Sequence, residues 1–200
     1  MAMMTPIRAE TFEKLVFDAG ILFKNLDYSA ATDATSLASL VATAKAAGTG
    51  LLGATKGGVN PQTNFTFWEP ELDGKRMSFK GAKHLDNAEC KIAGTLVEFT
   101  PDNVKDVLAL ADSTTATNIT TVQPRFDIKE GDYINHLIWI GNLGADGLYL
   151  IDLSNALCTV GLNTQTTDKD IGTIPFEFVG HADDVSDTTL PIKYLFFANA

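Results

Sequence analysis

Apolar and polar positions alternate along most of this 200-residue chain, in short runs separated by turn residues. Period two is the spacing of a half-buried strand. It is clearest between Leu52 and Thr100. There, Thr63–Trp68 and Arg76–Lys80 set Phe65, Phe67, Met77 and Phe79 at alternate positions. The Asp73-Gly74 step between the runs is a hairpin signal, because glycine accepts the positive φ of a tight turn. The pattern predicts a projecting hairpin over residues 63–81. The next run, Ala88 to Thr100, puts Ala88, Cys90, Ile92 and Leu96 on one face and Glu89, Lys91 and Thr95 on the other. A long amphipathic strand behind a projecting hairpin suits edge pairing and stacking of copies better than it suits the surround of a reacting atom.

Elsewhere the same reading gives two short strands around Asp18-Ala19-Gly20 within Thr11–Leu26. In the first, Phe12 and Val16 share one face and Leu15 and Phe17 the other; in the second, Ile21-Leu22-Phe23 is apolar throughout, as in a buried strand. Tyr28 to Ser36 reads as an exposed loop. Leu37, Leu40, Val41 and Ala44 fall at helical spacing, with Ser36 as the expected N-cap and Gly48 as the stop. A second helix, over about residues 101–111, is capped by Thr100, with Pro101 at its first position and Asp102 at the positive end of its dipole. Its stripe of Val104, Val107, Leu108 and Ala111 predicts packing on the outside of a sheet. From Asn118 the chain reads as strands: Ile119–Phe126, Tyr133–Gly141, Gly147–Leu153, Ala156–Gly161, Ile174–Gly180 and Ile192–Phe197. In the fifth, Phe176 and Phe178 flank Glu177, an in-out-in pattern. The expected fold is mainly β, a sandwich or open barrel with one packed flanking helix, forming a single domain over residues 1–200.

Composition changes this picture in one respect. Apolar (45%) and charged (20%) residues are ordinary, but 25 acidic residues against 15 basic give a net charge of −10. That balance opposes phosphate or groove binding to nucleic acid. Cys90 and Cys158 lack the spacing of a zinc or dithiol motif, and Cys90 reads as a buried free thiol. No secretory h-region and no run of the roughly eighteen apolar residues of a membrane helix is visible, which predicts a soluble chain made in the cytosol. The triplets Asn64-Phe65-Thr66 and Asn118-Ile119-Thr120 therefore carry no weight as glycosylation sites.

Candidate chemistry is sparse. Gly48-Thr49-Gly50-Leu51-Leu52-Gly53 spells G-x-G-x-x-G, but a helix precedes it and a loop follows, the reverse of a dinucleotide fingerprint. Neither Lys56-Gly57-Gly58 nor Gly74-Lys75-Arg76 has P-loop spacing. His84, His136 and His181 lack paired ligand spacing, and His181-Ala182-Asp183-Asp184 with Asp187 reads as a solvated acidic turn rather than a calcium loop. No nucleophile turn is present. Most of the aromatics alternate on strands; Trp68, beside Glu69 and Pro70 at the start of the hairpin tip, suits an interface better. No catalytic, cofactor-binding or metal-binding residue is expected.

Five segments, in order, carry a resemblance. They are F-D-A-G-I-L-F-K-N-L (Phe17–Leu26), G-A-T-K-G-G-V (Gly53–Val59), E-L-D-G-K-R (Glu71–Arg76) with Lys80-Gly81, G-T-L-V-E-F-T-P-D-N-V (Gly94–Val104) and I-P-F-E-F-V-G-H-A-D (Ile174–Asp183). Together the set resembles the major tail (tail tube) proteins of long-tailed phages, with Asn60-Pro61-Gln62 as a small insertion. The resemblance implies a sandwich subunit that forms rings, commonly of six, stacked into a hollow tube through which DNA passes into the host. It also implies residence in the virion tail after synthesis in the host cytoplasm, no membrane, and no cofactor. Tape-measure, tail-terminator and baseplate or distal tail proteins would be its partners, with DNA in transit unbound. Contacts between subunits or rings would fall on the Lys56-Gly57-Gly58 loop and on the hairpin at Trp68, Glu71, Asp73, Gly74, Lys75 and Arg76. Glu69, Asp86 and Glu89 would give an acidic lumen that repels the DNA backbone; a ring of six carries 6 × −10, or roughly −60. The inner tube of a contractile tail, a type VI secretion tube and a secreted carbohydrate-binding sandwich stay open as alternatives.

Overall fold

The computed structural model describes residues 15–166, 168–184 and 188–199. Among these, the elements run β1 (Phe17–Lys24), α1 (Ala34–Ala47), β2 (Thr55–Trp68), β3 (His84–Leu96), α2 (Pro101–Leu108), β4 (Ala111–Ala116), β5 (Ile119–Pro124), β6 (Ile134–Asn142), β7 (Gly147–Cys158), β8 (Ile174–Val179) and β9 (Ile192–Ala198). All pairings between these strands are antiparallel. One layer is β1-β6-β7-β9 and the other β7-β8-β3-β2, so β7 belongs to both. The mainly β, sandwich-like fold expected from the alternation is the fold observed. The break expected between Leu153 and Ala156 is instead close to the point where one strand changes partner: β7 pairs β6 as far as Ala156 and β8 from Leu157, with Asn155 just before the change at φ 47.

Strand periodicity explains the layering. On β6 and β7, Leu137, Trp139, Ile151 and Leu153 face the second layer and meet Ile92, Leu96, Phe176 and Phe178. Their neighbours Ile138, Ile140 and Leu150 face the other way and pack with Phe23 and Leu37 of α1. The middle sheet is thus covered on both faces, which is why Leu137 to Ile140 of β6 form an unbroken apolar run. Phe176 and Phe178 are buried and Glu177 is turned outward, as the in-out-in pattern predicts.

Several local expectations need correction. The cap of α1 is Asp33, three residues before Ser36. Asp33 accepts from the Ser36 amide at 2.7 Å, while Ser36 Oγ takes the Asp33 amide at 3.1 Å, so Ser36 is the partner in a capping box. Gly48 ends the helix at φ 65, as expected. Helix α2 keeps its Thr100 cap but stops at Leu108, because Ala109 turns left-handed at φ 60, and Ala111 opens β4. Asp18-Ala19-Gly20 lies inside a single strand, β1, as an irregularity beneath Trp139, whose Nε1 donates to the Ala19 carbonyl at 3.1 Å. Thr11 to Lys14 of the expected first strand lie outside the described residues. The β4–β5 pair forms a separate two-stranded ribbon, of which only the second strand was expected.

Candidate assembly surface

The predicted hairpin exists with a different return arm. Thr63–Trp68 pairs not with Arg76–Lys80 but with His84–Cys90, from Thr63 opposite Cys90 to Trp68 opposite His84. Residues 69–83 form the connection and contain two turns. Lys75 N donates to the Leu72 carbonyl at 3.1 Å and Ala82 N to the Phe79 carbonyl at 3.2 Å. Gly74 (φ 82) and Gly81 (φ 88) take the third positions, where a type II turn requires positive φ. The Asp73-Gly74 signal therefore marked a turn correctly and the wrong pair of strands. Glu69 curls the connection back on itself: Lys75 Nζ lies 2.5 Å from its Oε1 and Ser78 Oγ 2.6 Å from its Oε2. Those two hydrogen bonds, Lys75 first, hold the Glu69 carboxyl down to about 2.

This arm outruns the sandwich. Strand β8 covers β3 only from Lys91 onward, so the part over 63–68 and 84–90 is a bare two-stranded ribbon. Its inner face continues the core row of Cys90 and Ile92 outward through Ala88 and Phe65 to Phe67. Past the end of the opposite sheet that row has no cover. Phe65 (48%), Phe67 (57%), Trp68 (57%) and Leu85 (56%) are exposed, as are Leu72, Met77 and Phe79 in the connection. Trp68 and His84 face each other across the ribbon with ring centroids 5.9 Å apart. Beside the ribbon, Thr63 Oγ1 meets the Tyr194 hydroxyl at 2.5 Å, and Tyr194 and Phe196 of β9 stack on Tyr149 with Phe196 at 4.7 Å. The mouth of the sandwich, with Val59, Pro61, Trp139 and Tyr149 along its cleft of about 360 Å³, is thus aromatic and open.

The other predicted contact residues are scattered. Gly57 (φ 83) and Gly58 (φ 80) make an irregularity inside β2, not a loop before it, and Lys56 pairs with Asp170 at 3.2 Å. Glu71, Asp73, Gly74 and Arg76 are exposed in the connection, whereas Lys75 is engaged by Glu69. Of the three acids expected in the lumen, Glu69 belongs to that clamp and Asp86 sits exposed at the β2–β3 register shift. Glu89 lies on the outer face of the second sheet with Gln62, Asn64 and Glu177. There Lys91 stands 3.1 Å from Glu177 and 3.8 Å from Glu89, and the hydrogen bond to Glu177, ahead of the two charges, keeps the Lys91 ammonium above its usual range. The face is polar and mildly acidic.

Two polar clusters lie away from the ribbon. Asp152 is fully buried and is held by the Tyr28 hydroxyl at 2.8 Å and His136 Nδ1 at 3.0 Å. Burial, then the Asp152 carboxylate, push the Tyr28 phenol upward, and the bond between them ties the loop before α1 to the sheet. His181 lies over a neighbouring cleft with Nδ1 3.1 Å from the Asn155 carbonyl, and Asn155 Nδ2 in turn donates to Asp183 at 2.6 Å. Among the described residues no cluster of His, Cys, Asp or Glu has the geometry of a metal site. Cys90 and Cys158 are buried free thiols pushed upward by that burial. Sequence reasoning missed Leu85, Leu72, the aromatic mouth and the β4–β5 ribbon. Leu85 shows no period-two signal because the register shift at Asp86 breaks it. Comparison with models of known protein families gives no match, and comparison with curated proteins gives none.

Proposed function

We propose that this chain is a structural subunit that assembles with its own copies into stacked rings around a hollow bore, as the tail tube of a long-tailed phage. One observation carries the reading: the core row of the sandwich runs on, uncovered, along the β2–β3 ribbon through Phe65, Phe67 and Leu85, with Trp68 exposed on the opposite face at its end. An isolated monomer gains nothing from such a strip, whereas a neighbour that covers it gains on the order of 1 kcal/mol per large side chain, repeated around every ring. The polar outer face with Glu89 and Glu177 suits a bore through which DNA slides unbound, and the net charge of −10 supports the same role. In the virion its further partners would be the tape-measure, terminator and distal tail proteins, and no chemistry is asked of it.

Negative-stain microscopy of the concentrated protein tests this. Stacked rings with a central channel are expected. Trp68→Ala, or deletion of Glu71–Lys75, should leave a folded monomer that forms shorter tubes or none. A wild-type particle that stays single at high concentration, even when offered a tail initiator complex, would overturn the reading.

A further inference from the structure

The second ribbon plays no part in the sandwich core. Strands β4 and β5 pair only with each other, from Ala111 opposite Pro124 to Ala116 opposite Ile119, and beyond Ala111 nearly every residue is exposed. Its base is held firmly. Asp112 is 3.0 Å from Lys129 and 3.6 Å from Arg125, Arg125 also pairs with Asp132, and Arg125 N donates to the Leu110 carbonyl at 2.9 Å. From Ser113 to Gln123 it carries no charge and no proline. Two exposed edges of high β-propensity without a charge, a proline or a bulge are what soluble proteins normally avoid, because such an edge recruits another strand.

Register fixes which amides are on offer. A two-residue turn at Thr117-Asn118 makes Ala116 and Ile119 a hydrogen-bonded pair, so bonded and non-bonded pairs alternate down the ribbon. Thr115 and Thr120 are then a close, non-bonded pair, in keeping with their hydroxyls at 3.0 Å. The N–H groups of Ser113, Thr115, Thr120 and Val122 therefore point away from the ribbon, toward solvent.

One other terminal strand matches. The outer edge of β1 near Leu22 and Lys24 is occupied by bonds with Leu52 and Gly50, and β9 carries Lys193. Strand β2, last in its sheet, has no charged residue from Gly57 to Trp68. Cys90 gives its carbonyl to Gly180 on the far side of β3, so its partner Thr63, and Phe65 two residues on, turn their own N–H outward. The stretch after Pro61 runs to Trp68 and is one residue longer than the 6 residues of β5, about 20 Å of strand.

We propose that the β4–β5 ribbon adds an edge to residues 62–68 of β2 in a second copy of this chain, extending that copy's sheet across the subunit boundary. This rests on the assembly reading above and supplies the element that reading lacks, the part of each subunit that grips the next. The contact is heterologous, ribbon to β2, and so propagates into a ring rather than closing a dimer.

Two variants and one exchange measurement test it. Ser113→Pro and Val122→Pro each delete one outward donor, on β4 and β5 respectively, and leave the ribbon's own bonds in place. At least one should keep the monomer's circular dichroism and melting temperature while abolishing rings. In wild-type assemblies the amides of Thr63 and Phe65, and those of Ser113 and Thr115 or of Thr120 and Val122, should exchange about tenfold or more slowly than in the monomer. If either variant misfolds, the exchange result decides alone. Rings from both folded variants, or amides at these positions that exchange as fast in rings as in monomers, would overturn the ribbon contact and leave the assembly reading standing. A wild-type chain that never assembles would remove both.

Discussion

At the scale of single residues, tight packing and charge each make a measurable prediction. The Trp139 ring lies against Gly20 and Gly141, and a methyl group built at either position overlaps it. Gly141 has ordinary φ, so its lack of a side chain serves the indole alone. Gly141→Ala should therefore cost about 1–3 kcal/mol in chemical denaturation, the usual penalty of overpacking; an unchanged midpoint would mean that the ring moves freely. Glu69 makes a pH prediction. Its folded value is depressed, so the stabilisation it gives the connection is complete above its ordinary 4.5 and is lost as pH falls toward about 2. Protection of the Lys75 amide, its exchange compared with that of an unstructured amide at the same pH, should fall over that acid range in the wild type. In Glu69→Gln that protection should be low at every pH, with the core unaffected.

At the scale of elements, the helix ends carry the clearest test. Asp33→Ala removes the acceptor of the capping box on α1 and should lower stability by about 1 kcal/mol, while Ser36→Ala, which keeps the Asp33 carboxylate on the Ser36 amide and loses only the bonds of Ser36 Oγ to Asp33 and the Thr32 amide, should cost less. These ends also show what the sequence makes legible. Thr100-Pro101-Asp102 gave the start of α2 because a cap is chemistry within four residues. Strand identity was legible for the same local reason, and Phe176 and Phe178 sit where alternation puts them. The partner of Thr63–Trp68 was not legible. Pairing is a contest between distant segments, and His84–Cys90 wins as part of a strand that β8 anchors from Lys91, whereas Arg76–Lys80 has only a second glycine turn behind it. For the candidate surface, Trp68 was readable as an aromatic beside a turn, but the bare inner face of the ribbon was not. It exists because the opposite sheet ends early, a property of two layers together.

At the scale of the whole molecule, charge and contact are kept apart. The net charge is −10, yet the ribbon from Ser113 to Gln123 and β2 from Gly57 to Trp68 are uncharged. If copies meet through those segments, no ion pair at the contact favours low salt, while the subunits as wholes repel one another. Repulsion reaches about 30 Å at 0.01 M salt and only about 8 Å at 0.15 M. Assembly, followed by light scattering or sedimentation, should thus accelerate and go further as salt rises through that range. It should level off once the screening length falls below the spacing of neighbouring charges. A nucleic-acid binder of equal size would do the reverse, losing affinity steeply with salt. Assembly that weakens on adding salt would show that opposite charges hold the copies together, and would remove the uncharged edges as the place where they join.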